Sequence, residues 1–168
     1  MAVIAAYSKI IYKEKYMNSS EQFITLDNSH LSQITGIYKA AFSGEPWHDD
    51  WSDEKQLFLY IQDLACGFNS LNYGLFIDEK LTAVSIGSIH HWWSGTVYCI
   101  EEFCVLPEMQ GRNIGSRFMA MIENDIRSRG IYNIFLQTDI EMPSYRFYKN
   151  NGFEDLTGHV SLHKKLDE

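Results

Sequence analysis

The feature that most constrains this chain is the stretch from Val105 to Ser116, where an apolar run stops, a loop follows and an amphipathic helix begins. Pro107 has no backbone N–H and cannot continue a central strand, so the strand ending at Val105 has to leave its sheet here. Gly111 and Gly115 leave the backbone unobstructed, and the N–H groups that open the helix have no intrahelical partners. Such groups and the positive end of the helix dipole favour phosphate, so the stretch predicts an anion-binding loop. A tight structural connection is the alternative interpretation.

Apolar spacing and turn residues predict an α/β (α+β) domain. Ile114, Phe118, Ile122 and Ile126 repeat every four residues, which indicates a helix that packs on a sheet and ends at Gly130. This helix lies between two strand-like runs, so the three segments predict a parallel βαβ unit, and a hairpin precedes it. The predicted strands are 23–26, 73–77, 81–89, 96–105, 131–138 and 160–165. The predicted helices are 31–42, 114–129, 144–150 and one that opens at Ser52-Asp53-Glu54, which supply an N-cap and first-turn acids, and stops at Gly67.

Length and composition limit the class of protein. The 168 residues, 45% of them hydrophobic, suffice for one core, so we expect a single domain over residues 18–168 after an N-terminal extension, residues 1–17, of unknown role. The net charge of −8 argues against a nucleic-acid partner and is compatible with cationic substrates. No run approaches the ~18 apolar residues of a membrane span, so no membrane partner is expected. Cys66, Cys99 and Cys104 lack metal-type spacing and predict reduced thiols in a cytoplasmic protein.

The histidines do not form a pattern typical of metal binding. His90 and His91 are adjacent on an extended segment, so their side chains point to opposite sides of it. His159 and His163 would share a face only on a helix, whereas the alternating apolar residues around them indicate a strand. We therefore expect no metal site.

A short segment after the first predicted helix combines aromatic and acidic residues. Trp47, Asp49, Asp50 and Trp51 lie where a connection is expected, and loops carry binding groups more often than buried elements do. In one interpretation both Trp side chains anchor the loop on the core. In the other, the four residues form a substrate-binding lip in which Asp49 or Asp50 meets an ammonium group.

A second motif lies within residues 143–153. The pairs Phe147-Tyr148 and Gly152-Phe153 have the spacing of the signature Ala-x-x-(Leu/Phe)-Tyr-x-x-x-Gly-Phe, and the segment resembles the GNAT superfamily of N-acetyltransferases. The distance from this motif to the anion-binding loop is also similar to that in the superfamily.

The anion-binding loop resembles the acyl-CoA-binding motif of the same superfamily, Gln/Arg-x-x-Gly-x-Gly/Ala. Gln110 and Gly115 match it, whereas Asn113 replaces the middle glycine. Asn is the non-glycine residue that best tolerates positive φ, so the replacement is compatible with the motif. Ser144 replaces the usual Ala of the second motif and Glu141 stands where many members have Asn, which affects the contacts around the pantetheine arm rather than the fold.

The resemblance implies a fold and a cosubstrate. The fold is a central mixed, mostly antiparallel sheet with helices on both faces, in which the parallel βαβ unit carries the acyl-CoA site. The cosubstrate is acetyl-CoA, whose pyrophosphate meets loop N–H groups and whose thioester meets main-chain groups where the strand splays from its parallel neighbour. The implied cofactor-binding residues are Phe103, Cys104, Val105, Gln110, Gly111, Arg112, Asn113, Ile114, Gly115 and Ser116.

Acetyl transfer to an amine needs a neutral nitrogen, and the strand before the loop offers two carboxylates. Glu101 and Glu102 are adjacent, and consecutive strand residues face opposite sides, so at most one should face the site directly. Acids at a comparable place in similar enzymes serve as base or amine anchor, so we favour Glu102; a water chain as base and a merely solvated carboxylate are the alternatives. The resemblance places Tyr148 as general acid for the departing thiolate, and a purely apolar role in its helix is the alternative.

The resulting hypothesis is an acetyl-CoA-dependent N-acetyltransferase that acts on a primary amine of a small molecule. Acidic loops and the tryptophans at 47, 51, 92 and 93 suit a polycationic acceptor such as an aminoglycoside or a polyamine. A peptide or protein amine is the rival acceptor, and a non-catalytic sensor of acyl-CoA is the rival function. A homodimer is left open.

Overall fold

The computed structural model describes residues 20–166, and the predicted N-terminal extension lies outside them. The described chain forms two compact units, residues 20–137 and 138–166, and the expectation of one domain over 18–168 stays a prediction. The strands are β1 (Glu21–Leu26), β2 (Asn72–Ile77), β3 (Lys80–Trp92), β4 (Gly95–Val105) and β5 (Asn133–Leu136), and the helices are α1 (Leu31–Phe42), α2 (Glu54–Ala65), α3 (Ile114–Ser128) and α4 (Pro143–Asn150).

Local sequence explains where the first two helices begin and what they bury. The side chain of Asp53 accepts hydrogen bonds from the N–H groups of Lys55 and Gln56, both at 3.0 Å, and so caps α2. In α1 the buried residues recur at spacings of three and four, so one face of the helix lies against the sheet. The predicted bounds of α1 are confirmed.

The larger unit is built on a five-stranded sheet in the order β1-β2-β3-β4-β5. The first four strands are antiparallel neighbours, and β5 lies parallel to β4 after the crossover through α3. Asp78 and Glu79 form the turn between β2 and β3 with φ values of 50° and 64°, which suits the twist of a tight hairpin. The predicted fold class, a mixed and mostly antiparallel sheet with one parallel βαβ unit, is confirmed.

Helices cover both faces of this sheet. Val84, Ile86 and Cys104 point from β3 and β4 into the core that α1 and α2 close. On the opposite face Phe103 packs against Phe118 of α3, with the ring centroids 5.4 Å apart. Cys104 is therefore a buried, small apolar residue of the first face, and burial raises the pKa of its thiol.

A β-bulge in β4 decides which face its acidic residues occupy. Ile86 pairs with Glu102, but the next residue, Gly87, pairs with Ile100, so Glu101 is an extra residue in β4. If all residues of β4 alternated strictly, with Glu101 present and no bulge, Glu102 would lie on the same face as Ile100, where α3 packs. The extra residue turns Glu102 to the face of α1 and α2.

The ladder between β4 and β5 ends before β4 does. Its last pair is Ile100 with Leu136, whereas β4 continues to Val105. β5 itself ends at Leu136, so among the described strands residues 101–105 of β4 pair only with β3, and the splaying that the resemblance implied stays a prediction.

Two strand predictions need correction. The predicted strand 160–165 is wrong, because residues 151–166 contain no strand. Val160 and Leu162, whose alternation suggested it, are 80% and 90% exposed. Alternation makes a strand only where a neighbouring edge accepts its hydrogen bonds, and within the described residues this segment pairs with none. The strand predicted at 81–89 is longer than expected, since β3 continues through His90 and His91 to Trp92.

The smaller unit contains α4. Pro143 occupies the first helical turn, where its missing N–H costs nothing, and Gly152 follows the helix with φ +85°. The hydroxyl groups of Thr138 and Ser144 lie 2.8 Å apart. The predicted helix at 144–150 is confirmed.

Gly87 packs so closely against Tyr98 that a side chain at this position should destabilise the fold. A Cβ at this position would lie 2.5 Å from the ring of Tyr98, which is fully buried and hydrogen-bonded to Ser85 at 2.9 Å. We expect Gly87→Ala to lower the free energy of unfolding by about 1–3 kcal/mol, measured by urea denaturation. Gly36→Ala is the matched control, because nothing lies within 4 Å of a Cβ added to this site in α1. It should be neutral or stabilise by up to about 1 kcal/mol; equal effects would contradict the packing argument.

Candidate active site

Glu102 is the central residue of the candidate site. Its carboxyl oxygen Oε1 accepts a hydrogen bond from the Tyr60 hydroxyl at 2.5 Å and a longer one from the Tyr38 hydroxyl at 3.4 Å. Tyr38 comes from α1 and Tyr60 from α2, so both helices of this face reach the same atom. The other oxygen, Oε2, has no hydrogen bond to the part of the chain that the structure describes.

The surroundings of Glu102 shift its acidity in two directions. Burial raises the pKa of its carboxyl group, the hydroxyls of Tyr60 and Tyr38 lower it, and the carboxylates of Asp49 and Glu101 raise it again. The net direction is upward, because burial is the largest of these effects. A carboxylate with a raised pKa is a better proton acceptor from an ammonium group than an exposed one.

Glu101 lies on the same face as Glu102, which corrects the expectation that adjacent strand residues face opposite sides. Its Oε1 accepts a hydrogen bond from the Ser88 hydroxyl at 3.0 Å, and Ser88 alternates along β3 with Ile86 of the same face. The bulge at Glu101 is the physical reason, because it interrupts the alternation of side chains. The site therefore contains two neighbouring carboxylates.

Three carboxylates share this region without a cationic partner. Among residues 20–166, the side chains of Glu101, Glu102 and Asp49 form no ion pair with Lys, Arg or His. The remaining acid of the predicted lip, Asp50, accepts a hydrogen bond from the N–H of Ser52 at 3.1 Å and is exposed. Ser52 also lowers the pKa of Asp50.

The two tryptophans of the predicted lip pack on the core of the larger unit. The ring of Trp51 stacks on Tyr60, with centroids 5.3 Å apart, and meets Tyr38 edge-on at 5.6 Å. Trp47 packs on Phe42 at 5.4 Å. The Trp51 ring thus lies against both tyrosines that contact Glu102, whereas the Trp47 ring anchors the loop. A role of either in substrate binding stays a prediction.

The loop after β4 has the geometry of an anion-binding turn. Gly111 has φ +71° and Asn113 has φ +61°, so the position where the motif has glycine does require a left-handed residue. Within the described residues, the N–H groups of Gly111, Asn113, Ile114, Gly115 and Ser116 make no hydrogen bond to a backbone carbonyl. Clustered N–H groups at a helix N-terminus fit a pyrophosphate, so the residues present suit CoA.

Side chains beside the loop have partners of their own. Gln110 donates from Nε2 to the carbonyl of Val105 at 3.0 Å, which ties the loop to the end of β4. Arg112 is exposed, with its guanidinium 3.7 Å from the sulfur of Met109. Arg117 forms a two-pronged ion pair with Glu21 at 2.8 and 3.0 Å, so its charge is already engaged. The loop therefore offers an anion mainly its backbone N–H groups.

Tyr148 belongs to the smaller unit. It lies in α4 with little exposure, and its ring packs edge-on against Phe147 at 5.2 Å and Phe153 at 5.3 Å. Its role as general acid stays a prediction.

The sequence interpretation missed Tyr60 and the role of Tyr38. The apolar spacing that predicts the two helices gives no role to either hydroxyl. A signal was present: a tyrosine on the buried face of a helix needs a partner for its hydroxyl. The carboxyl group of Glu102 on β4 is that partner.

The described residues contain neither a cluster of metal ligands nor a helix that could span a membrane. Between residues 20 and 166, no three His, Cys, Asp or Glu side chains come together as a group that would hold a metal ion. His90 and His91 contact different partners, Ser88 at 3.0 Å and Thr96 at 3.1 Å. No helix in this part of the chain has the length and apolar character needed to cross a bilayer.

Comparison with known proteins decides the family. The sequence model of the acetyltransferase (GNAT) family matches residues 31–153. The chain belongs to this family. The predicted GNAT membership and the predicted class of acyltransferase are therefore confirmed at the level of the family.

A curated relative of this GNAT protein is an N-acetyltransferase. Aminoalkylphosphonate N-acetyltransferase of Salmonella typhimurium is 37% identical over 68 residues, which are 39% of this chain and 42% of that protein. The match thus spans less than half of the curated relative.

Solved structures share the fold of this GNAT protein. An aminoglycoside N-acetyltransferase in complex with CoA has a TM-score of 0.68 and 19% identity, over 88% of this chain and 96% of that one. An aminoglycoside acetyltransferase from an uncultured soil metagenomic sample, in complex with sisomicin, has a TM-score of 0.68 and 14% identity, over 88% and 97% of the two chains. At these identities the likeness concerns the fold.

Proposed function

We propose that this GNAT protein transfers an acetyl group from acetyl-CoA to a primary amine of a small molecule. The observation that carries the proposal is Glu102, a largely buried carboxylate that has no cationic partner among the described residues and accepts hydrogen bonds from them at only one of its two oxygens. A folded chain rarely buries a carboxylate without a counter-ion unless the group has a function.

Residues of this chain can be assigned to the proton transfers and to the stabilisation of the acetyl oxygen in the proposed reaction. Acetyl-CoA supplies the activated acetyl group as a thioester. Glu102 takes a proton from the acceptor ammonium, and the neutral nitrogen then forms the C–N bond to the acetyl carbon while the C–S bond breaks. Main-chain groups at Phe103, Cys104 and Val105 meet the acetyl oxygen, and Tyr148 gives a proton to the departing thiolate sulfur. The nitrogen's remaining surplus proton leaves to solvent.

The charge of the site favours a cationic acceptor. Glu101, Glu102 and Asp49 would neutralise ammonium groups, and the ring of Trp51 adds an aromatic surface that attracts cations. Two solved neighbours are named as aminoglycoside acetyltransferases, and the matched relative in Salmonella typhimurium acts, by its name, on aminoalkylphosphonates. A phosphonate would be repelled by three carboxylates, so we favour an aminoglycoside or a polyamine as acceptor.

An amine panel tests the proposal. Titration calorimetry with acetyl-CoA comes first, followed by release of free thiol in the presence of an aminoglycoside, spermidine, an aminoalkylphosphonate and a peptide N-terminus. Turnover with the first two, and much less with the phosphonate, is the expected result. Turnover on the peptide alone would favour a protein acceptor, acetyl-CoA binding without turnover on any amine would favour a sensor, and absence of acetyl-CoA binding would exclude both functions.

A further inference from the structure

We infer that Tyr60 and Tyr38 are positioning residues that hold Oε1 of Glu102, so that Oε2 is presented to the acceptor nitrogen. The inference rests on the proposed function for the identity of the reaction. It adds two residues, from two helices, to the machinery that prepares the base.

The hydrogen bonds to Glu102 are one-sided. Both hydroxyls donate to Oε1, and Oε2 accepts no hydrogen bond from the described chain. A carboxylate that accepts from two donors at one oxygen keeps the lone pairs of the other for a ligand. The arrangement therefore fixes the rotation of the carboxyl group and leaves one atom available.

The two bonds differ in length. The Tyr60 hydroxyl lies 2.5 Å from Oε1, whereas the Tyr38 hydroxyl, at 3.4 Å, is near the limit of a hydrogen bond. Tyr60 is accordingly expected to contribute most of the effect.

Packing holds both donors in place. The rings of Tyr38, Tyr60 and Trp51 contact each other with centroids 5.3 to 5.6 Å apart, and Phe42 lies 4.5 Å from Tyr38. Rings enclosed in this way cannot change rotamer freely, so the hydroxyls are fixed before a ligand arrives.

Both phenols remain donors at every working pH. Burial, followed by the neighbouring carboxylate of Glu102, raises the pKa of Tyr38 well above its ordinary range. Burial, followed by its hydrogen bond to Glu102, has the same effect on the pKa of Tyr60. Neither tyrosine can thus serve as the base, and each favours the ionised form of Glu102.

The groups that face Glu102 set the direction of the expected effect. They are the hydroxyls of Tyr38 on α1 and Tyr60 on α2, the carboxylates of Asp49 in the loop and Glu101 on β4, and the thiol of Cys104 on β4. The hydroxyls lower the pKa of Glu102, and the two carboxylates raise it. Loss of a hydroxyl should therefore raise the pKa of Glu102 further.

The experiment compares the pH dependence of kcat/KM in single hydroxyl deletions. In Tyr60→Phe we expect the acid limb to move to higher pH by about one unit, and kcat/KM below the limb to fall about tenfold. In Tyr38→Phe the shift should be smaller. Tyr73→Phe is the matched control, because its buried hydroxyl donates to Asp125 at 2.6 Å on the other face of the sheet. It should leave the limb unchanged.

A second measurement does not depend on turnover. The pKa of Glu102 in the free protein can be followed by ¹³C NMR of the carboxyl group, with Glu102→Gln identifying the resonance. It should rise in Tyr60→Phe, and a fluorinated tyrosine at position 60, whose hydroxyl is a stronger donor, should lower it even if Tyr60→Phe does not fold. If Tyr60→Phe changes neither the pKa of Glu102 nor the acid limb, the inference is wrong. Turnover of an amine by the wild type would still leave the proposed function intact in that case. If the wild type acetylates no amine, the proposed function fails and the NMR titration alone decides on the tyrosines.

Discussion

Glu102→Gln is expected to lower kcat/KM at neutral pH by about 10²- to 10⁴-fold, the range that a positioned general base contributes. Glutamine keeps an oxygen that accepts from Tyr60 and Tyr38, so the packing of the site survives, but an amide cannot take a proton from an ammonium group. The measurement is steady-state kinetics with the best amine of the panel. Acetyl-CoA affinity, measured by calorimetry, should stay within about twofold, because the variant removes no group of the anion-binding loop.

Glu102→Gln should also change the stability of the fold in a pH-dependent way. Since burial raises the folded-state pKa of Glu102 above its unfolded value, the group stabilises the fold below the unfolded pKa and loses this contribution as pH rises through the folded pKa. Glu102→Gln should therefore gain stability relative to wild type between acidic and neutral pH, as measured by urea denaturation at pH 4 and pH 7. Glu54→Gln is the control, because it removes an 84% exposed carboxylate of α2.

The kinetic prediction has its own contrary outcome. Wild-type kinetics in Glu102→Gln across the pH range would exclude Glu102 as the base.

Tyr148→Phe should lower turnover by about 10²-fold and leave acetyl-CoA affinity nearly unchanged, because phenylalanine keeps the ring packing on Phe147 and Phe153 but cannot donate a proton. Tyr145→Phe is the matched control in the same helix. Its hydroxyl donates to Asp155 at 3.0 Å, so the variant loses a hydrogen bond without a proposed catalytic group.

A third variant separates chemistry from binding. Gly115→Leu should weaken acetyl-CoA binding, since a bulky side chain would crowd the loop N–H groups that approach the pyrophosphate. Calorimetry and single-turnover kinetics distinguish the two effects. If Tyr148→Phe turns over as fast as wild type at every pH, the general-acid assignment is wrong.

Much of the fold was predictable because its signals are local. The bounds of α1 follow from its apolar spacing, the start of α2 from the cap at Asp53, and the start of α3 from the proline and glycines before it. The left-handed conformation of Asn113 was also predictable, because few residues other than glycine accept it.

The remainder depends on contacts between distant segments. The bulge at Glu101 arises from the pairing of β3 with β4, and neither strand's own sequence marks it. Tyr60 lies 42 residues before its partner Glu102, so no spacing rule links them. The segment around Val160 was predicted wrongly for a related reason. Its residues alternate as in a strand, but among the described residues no strand edge pairs with it.

The bulge at Glu101 divides β4 into two halves. Even-numbered side chains face α3 before the bulge, and odd-numbered side chains face α3 after it. Ile100 and Phe103 therefore share a face although they are three positions apart. Deletion of Glu101 would leave the pairs Gly87–Ile100 and Ile86–Glu102 in place and make the ladder regular, so Glu102 and Phe103 would keep their faces. Sequence comparisons within the family therefore have to keep the two halves of β4 in separate frames.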